Sequence, residues 1–362
     1  MGILSLLIVA SPVAASFWAS DLIYLPAAAH TDGASGSQWR TDLYLTNVDS
    51  VPIDVMMVYL PSGTGGNSSV FTDRTRWLGG REEDGFGYVN EALADIQPNG
   101  TVVLEDVIGE YWADQEEISD LGGMVLFAYE ADSLEDDGTR VFRNAVLMSR
   151  TYNQTTILLD DPNSHGGVRQ VDATYGQTIP GVPWYNLADP AAVSEDTDFS
   201  FYILTGGIQN DDFRYNVGIL NASDPQTSIT VSLQPFRPDG EPFPDLEGNP
   251  LVSVQVISPL GHLQLNEVLL TSFGIAAAEQ VMIKVGFVGW TSTGTDPIPA
   301  FATYGSVIDD RSNDPTTILQ SFAYPYDVEC VWPDSDGESG VRKSRRGVNA
   351  RPVQAPPLRT AD

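Results

Sequence analysis

The chain has 362 residues, 49 of them acidic and 18 basic, for a formal net charge of −31, with 42% apolar residues and a single cysteine. Length and apolar content suit about two domains of roughly 150 residues each, which excludes a chain disordered throughout. Such acidity opposes nucleic acid as a partner, because phosphates would be repelled, and one cysteine excludes an intrachain disulfide scaffold.

From the N-terminus, Gly2 to Ala10 is an apolar run of the length of a signal h-region, and Val13, Ala14 and Ala15 place small residues where signal peptidase cuts. Residues 1–15 are therefore expected to be a signal peptide cleaved after Ala15, although the usual positive n-region is missing; an uncleaved N-terminal strand is the alternative. No stretch approaches the roughly 20 apolar residues of a membrane-spanning helix. The expected location is secreted, extracellular or periplasmic.

The body is organised by a repeat. Trp39-Arg40-Thr41-Asp42 through Asn47 matches Phe213-Arg214-Tyr215-Asn216 through Asn221, at an offset of 174. Each match is followed by a polar turn and an apolar run, Ile53 to Tyr59 and Ile229 to Gln234, both read as half-buried strands of period two. Gly100, Leu104, Asp106 and Val107 match Gly261, Leu265, Glu267 and Val268, at an offset of 161. Two further strand pairs follow: Met124 to Tyr129 with Met282 to Phe287, and Ala145 to Ser149 with Ala302 to Ser306, the last offset by 157. The shrinking offset places an insertion in the first copy at about 61–98, which includes a short helix-compatible stretch from Val89 to Ile96.

Short runs separated by Gly, Pro, Asn and Asp turn clusters predict an all-β protein of two tandem immunoglobulin-like antiparallel β-sandwiches; a single large barrel is the alternative. The expected boundaries are a first sandwich over 22–160, a linker over 161–176, a second sandwich over 177–326 and a disordered tail over 333–362. All six basic residues beyond Val341 fall in that tail, and the only acid beyond Val341 is Asp362, so residues 1–341 carry 48 acids against 12 bases and stand near −36. A surface of that kind stays hydrated and resists nonspecific association. Within the repeat, Trp39 and Phe213 read as core aromatics, Arg40 and Arg214 as partners of a nearby carboxylate or carbonyl, and Asn47 and Asn221 as strand-end residues that satisfy turn backbone.

At these residues the chain resembles a group of secreted bacterial proteins built from tandem β-sandwich repeats. The resemblance rests on Leu25-Pro26-Ala27-Ala28-Ala29-His30, on Trp39-Arg40-Thr41-Asp42, on Gly305-Ser306-Val307-Ile308-Asp309-Asp310, and on Asp314-Pro315. It covers about Tyr24 to Leu319 and implies no reaction, cofactor or catalytic residue.

Signals for chemistry are sparse. The three histidines, His30, His165 and His262, lie far apart, no Gly-x-Ser-x-Gly elbow occurs, and neither a zinc pattern nor a phosphate-cradling loop is present. Among 49 acids some carboxylate pair is always available, so pairs alone carry no information. No catalytic, cofactor-binding or metal residue is assigned. Calcium is the one cofactor with any motif: Asp132, Asp136, Asp137 and Gly138, and Asp334, Asp336, Gly337 and Glu338, put oxygen ligands at Gly turns, though neither is an EF-hand loop. The expected function is a noncatalytic binding, adhesion or structural module whose partner is an extracellular protein or glycan. The alternative is carbohydrate binding or hydrolysis, with Trp77, Trp112, Trp184 or Trp290 as stacking platforms.

Overall fold

The computed structural model describes residues 18–33, 37–63, 75–78, 95–112, 121–133, 140–160, 168–187, 201–295 and 297–323. The expected signal peptide, most of the insertion, residues 161–167 and the tail lie outside these residues.

Four small antiparallel sheets make up the described chain. Sheet A has the order β2 (Thr31–Asp32), β3 (Gln38–Asn47), β8 (Ala145–Asp160) and β9 (Val168–Pro180), with β6 (Thr101–Leu104) also paired to β3. Sheet B has the order β10 (Val182–Pro183), β1 (Leu22–Ala29), β7 (Leu121–Glu130), β4 (Ile53–Pro61) and β5 (Thr75–Leu78). Sheet C has the order β15 (His262–Leu265), β12 (Phe213–Asn221), β17 (Phe301–Asp309) and β18 (Pro315–Leu319). Sheet D has the order β14 (Ser253–Ile257), β13 (Thr227–Phe236), β16 (Ala278–Ser292), β11 (Phe201–Gln209) and β19 (Ser321–Ala323). One-and-a-half-turn helices follow β6 and β15: α1 (Val107–Trp112) and α2 (Val268–Phe273). Strands β1 and β3 to β10 thus correspond, in chain order and in pairing, to β11 and β12 to β19.

The sheets pack face to face in succession. Leu43 and Leu45 of sheet A meet Leu25, Val55, Met57 and Leu126 of sheet B in one core. Val217, Ile219 and Phe301 of sheet C meet Val231, Leu233, Ile283 and Val285 of sheet D in a second. A third core joins the copies: Met56, Val58, Leu60, Val125 and Phe127, on the other face of sheet B, pack against Leu220, Ala222, Leu260, Ala300 and Ala302. Consequently every residue of β1 and β4 is buried. Strand β17 is buried from Phe301 to Ile308.

This arrangement corrects the expectation of two tandem immunoglobulin-like sandwiches. The four small sheets form a four-bladed, β-propeller-like arrangement in which sheets B and C each have layers on both sides. The physical reason lies in β4, whose sequence is not a simple polar and apolar alternation. Met56, Val58 and Leu60 make its second face as apolar as its first, and a strand apolar on both faces belongs between two layers.

The register refines the repeat. Val217 pairs with Leu265 as Leu43 pairs with Leu104, which agrees with the offsets read at the first two anchors. Tyr59 pairs with Met124 and the equivalent Pro235 with Ile283, so Met124 corresponds to Ile283 rather than Met282. Likewise Asn47 faces Ala145 where Asn221 faces Phe301, so Ala145 corresponds to Phe301 rather than Ala302. A one-residue slip exchanges the faces of a strand, and only the corrected pairing puts core residues opposite core residues. Residues 168–176, expected within the linker, are strand: β8 and β9 form a hairpin paired from Met148 and Pro180 out to Asp160 and Val168. The first copy continues to β10, which returns to pair with β1 in sheet B.

Candidate functional site

A half-exposed group of chemistry-bearing side chains, His30, Asp106 and Arg40, meets at the end of sheet A. His30 follows the last residue of β1, where the Ala29 N–H donates to Thr41 Oγ1 at 2.8 Å. Its Nδ1 lies 2.9 Å from both carboxylate oxygens of Asp106. Arg40 Nε stands 3.5 Å from Asp106 Oδ2, and Arg40 Nη1 donates to the Trp39 carbonyl at 2.7 Å. His30, Asp106 and Arg40 are 28%, 32% and 17% exposed, so solvent reaches the group and weakens its ion pairing.

Asp106 sits at the entry to α1 with φ 43°, in the left-handed region, and its N–H donates to Asp42 Oδ1 at 2.9 Å. The second copy repeats that turn. Glu267 has φ 48°, and its N–H donates to Asn216 Oδ1 at 3.0 Å. The strained backbone is therefore a property of the repeat rather than a mark of a reactive centre. What distinguishes the first copy is His30 together with Gly109 of α1. A Cβ at Gly109 would collide with His30 Nδ1 and Asp106 Oδ2, and its counterpart in α2 is the exposed Leu270. Beside this group, burial, followed by the charge and hydrogen bond of Asp42, pushes the Tyr152 hydroxyl up to about 12.

A second constellation joins the copies. Ser62, at the end of β4, hydrogen-bonds His262 Nδ1 across the contact between sheets B and C. His262 is buried, its ring stacks on Tyr304 at 6.4 Å, and burial lowers its pKa to about 4 against a small opposing effect of the Pro26 carbonyl. Its Nε2 makes no hydrogen bond of good geometry. A serine and a histidine are thus in contact, but among the described residues no carboxylate hydrogen-bonds the ring, and so deeply lowered a pKa makes it a weak base at neutral pH.

The remaining sequence candidates are dispersed. Asn47 donates to the Val51 and Ile96 carbonyls, both at 2.7 Å, and Asn221 to those of Thr227, Ile257 and Ser258 at 2.8 to 3.2 Å, so each closes its turn. The carboxylate beside Arg40 is Asp106, and that beside Arg214 is Asp310, with Asn313 Oδ1 at 3.0 Å. Phe213 and Trp39 are both half-buried, Phe213 packing against the core between sheets C and D. Trp112 is buried in the first core, 5.5 Å from the Tyr59 ring. Trp184 lies against the core between the copies and donates to Asp21 Oδ1 at 3.1 Å. Trp290 is exposed, and the side chain of Trp77 is outside the described residues. The described tryptophans therefore share no common platform. Of the first calcium motif only Asp132 is described, with φ 55°, and the second motif, His165 and Cys330 are outside. No group of three His, Cys, Asp or Glu among the described residues is placed to hold a metal.

No protein-family model matches the chain, and no curated protein or solved structure is similar enough to match it. Among the described residues no helix is long and apolar enough to cross a membrane.

Proposed function

We propose that the protein is an exported, noncatalytic module that works by binding or adhesion through the surface of a stiff β scaffold. The observation that carries this reading is that the polar groups drawn together by the fold serve its own turns and junctions. Asp42 and Asp106 have Asn216 and Glu267 as architectural counterparts in the other copy, and Ser62 and His262 seal the contact between copies. The Gly2 to Ala10 run and the acidic surface support export, as does the resemblance of the Trp39 and Ser306 segments to secreted repeat proteins.

Turnover assays on panels of glycosides, esters and peptides, run beside a glycan array, test the reading. Binding of a glycan or protein without turnover is expected. Turnover that disappears in His30→Ala or Ser62→Ala, with the melting curve retained, would overturn it. Export is tested by mass spectrometry of culture medium, where the expected N-terminus is Ser16; intact Met1 confined to the cytoplasm would refute it.

A further inference from the structure

Sheet D ends in an edge that lacks the usual protection. Strand β14 pairs with β13 from Ile229 and Ile257 to Leu233 and Ser253, and no described strand pairs with its outer side. Its residues alternate: Ile257 enters the core, whereas Val254 and Val256 are 56% and 71% exposed, with Val252 just before them at 52%. Natural sheets blunt such edges with charge, proline or a bulge inside the strand, because an unpaired apolar edge is a template for another strand. Here the prolines, Pro250 and Pro259, stand outside the strand, and no charged residue occurs from Pro250 to Gly261.

The adjoining surface is also uncharged. Val256 and Val254 face Thr230 and Ser232 on β13, and those face Gly289 and Gly286 on β16. The next cation inward, Lys284, lies over the Phe201 ring at 4.1 Å. In a chain of net charge −31, two copies repel wherever carboxylates confront each other, and this strip lets them approach without that cost. Antiparallel pairing about a twofold axis is self-complementary, since each copy offers the same residues to the other.

We propose that β14 is a homodimerisation edge: two copies pair their β14 strands antiparallel about a twofold axis at Gln255, so that Val254 of each lies opposite Val256 of the other. Sheet D then runs continuously through both molecules. A strand this short buries less than the roughly 800 Å² per partner of a stable complex, which makes the dimer weak and concentration-dependent. It stands whether or not the chain also binds a glycan.

Sedimentation equilibrium of the full chain from about 1 to 200 μM, at low salt and at about 0.5 M salt, tests this. The expected result is a monomer–dimer equilibrium that tightens with salt as repulsion between the acidic bodies is screened. The double variant Val254→Lys, Val256→Lys is expected to be monomeric throughout with an unchanged melting curve. As an independent readout, Gln255→Cys in a Cys330→Ser background should form a disulfide-linked dimer on mild oxidation, because directly opposed residues have Cβ atoms about 5 Å apart; Ser228→Cys in the same background should not. A wild-type chain monomeric at every concentration, a dimer that survives the folded double-lysine variant, or equal cross-linking at Ser228 and Gln255 would overturn the proposal. An edge that captures an unrelated strand peptide while the chain itself stays monomeric would overturn it too.

Discussion

Strands β4 and β13 occupy the same place in the two copies and have different surroundings. Core-facing positions are alike: Ile53, Val55 and Met57 against Ile229, Val231 and Leu233. On the other face, Met56, Val58 and Leu60 of β4 are buried beneath sheet C, whereas Ser232, Gln234 and Phe236 of β13 are half-exposed at the outside of sheet D. Sheet A of the first copy and sheet C of the second differ in the same way, with the inner and outer places exchanged between the copies. Leu220 and Ala302 face sheet B where Thr46 and Val146 face outward, and His262 is buried where Thr101 is exposed. Within a duplicated fold, the shared face defines the sandwich pair, and the unshared face reveals whether a further layer covers it.

The largest test of that contrast places the same charge at equivalent positions. Val58→Asp puts an unpaired carboxylate between sheets B and C and should cost about 3 to 5 kcal/mol, enough to unfold most of the chain. Gln234→Asp, its counterpart in β13, should stay within about 0.5 kcal/mol. Urea denaturation followed by circular dichroism measures both, and equal losses would erase the distinction between inner and outer sheets.

Next in size is a pH effect confined to the junction between the copies. Because the fold lowers the His262 pKa from 6.5 to about 4, the unfolded chain takes up the proton first as pH falls. Its contribution is complete above about pH 6.5 and lost as pH drops toward 4, an effect of about 3 kcal/mol. Asp54 acts in the opposite sense. Burial raises its carboxyl to about 6, so the folded chain holds that proton more tightly and its effect on stability improves as pH falls from about 6. His262→Gln should therefore reduce the loss of stability on acidification, and Asp54→Asn should deepen it; urea midpoints from pH 7 to pH 4 would show both. Identical pH profiles for the wild type and the two variants would exclude this assignment.

Smaller effects probe the turns that the copies share. Asn221→Ala leaves the carbonyls of Thr227, Ile257 and Ser258 without their donor and should cost about 2 kcal/mol, with Asn47→Ala similar. Gly109→Ala forces His30 away from Asp106 and should cost about 1 kcal/mol, most of it absent in a His30→Ala background. Leu270→Ala, at the equivalent exposed position, should change little. Thermal melts of the set would reveal whether the asymmetry between α1 and α2 resides in His30.

Strand order and turn chemistry were readable because they are local: Asn47 and Asn221 stand before polar turns, and Gly100 and Gly261 precede matching strands. The layering is harder to see: β4 carries it in Met56 and Val58, but one polar residue, Asp54, gives the strand the look of alternation. Asp54 itself is buried, with Oδ1 accepting the Asp95 N–H at 3.4 Å, so its polarity did not mean exposure. The candidate sites were out of reach for another reason. His30 and Asp106 lie 76 positions apart, and Ser62 and His262 lie 200 apart. No spacing rule connects such residues before the sheets are stacked.

The apolar second face of sheet B also bears on how the chain comes into being. Synthesis completes β1, β4 and β7 long before Leu220, Ala222, Leu260, Ala300 and Ala302 exist to cover them. A first copy made alone would carry an uncovered hydrophobic sheet, so the nascent half must wait for its sibling or be shielded in the meantime. Such long-range pairing makes for slow maturation. A single copy with this face would need a second molecule to cover it, which the second half of the chain supplies from within.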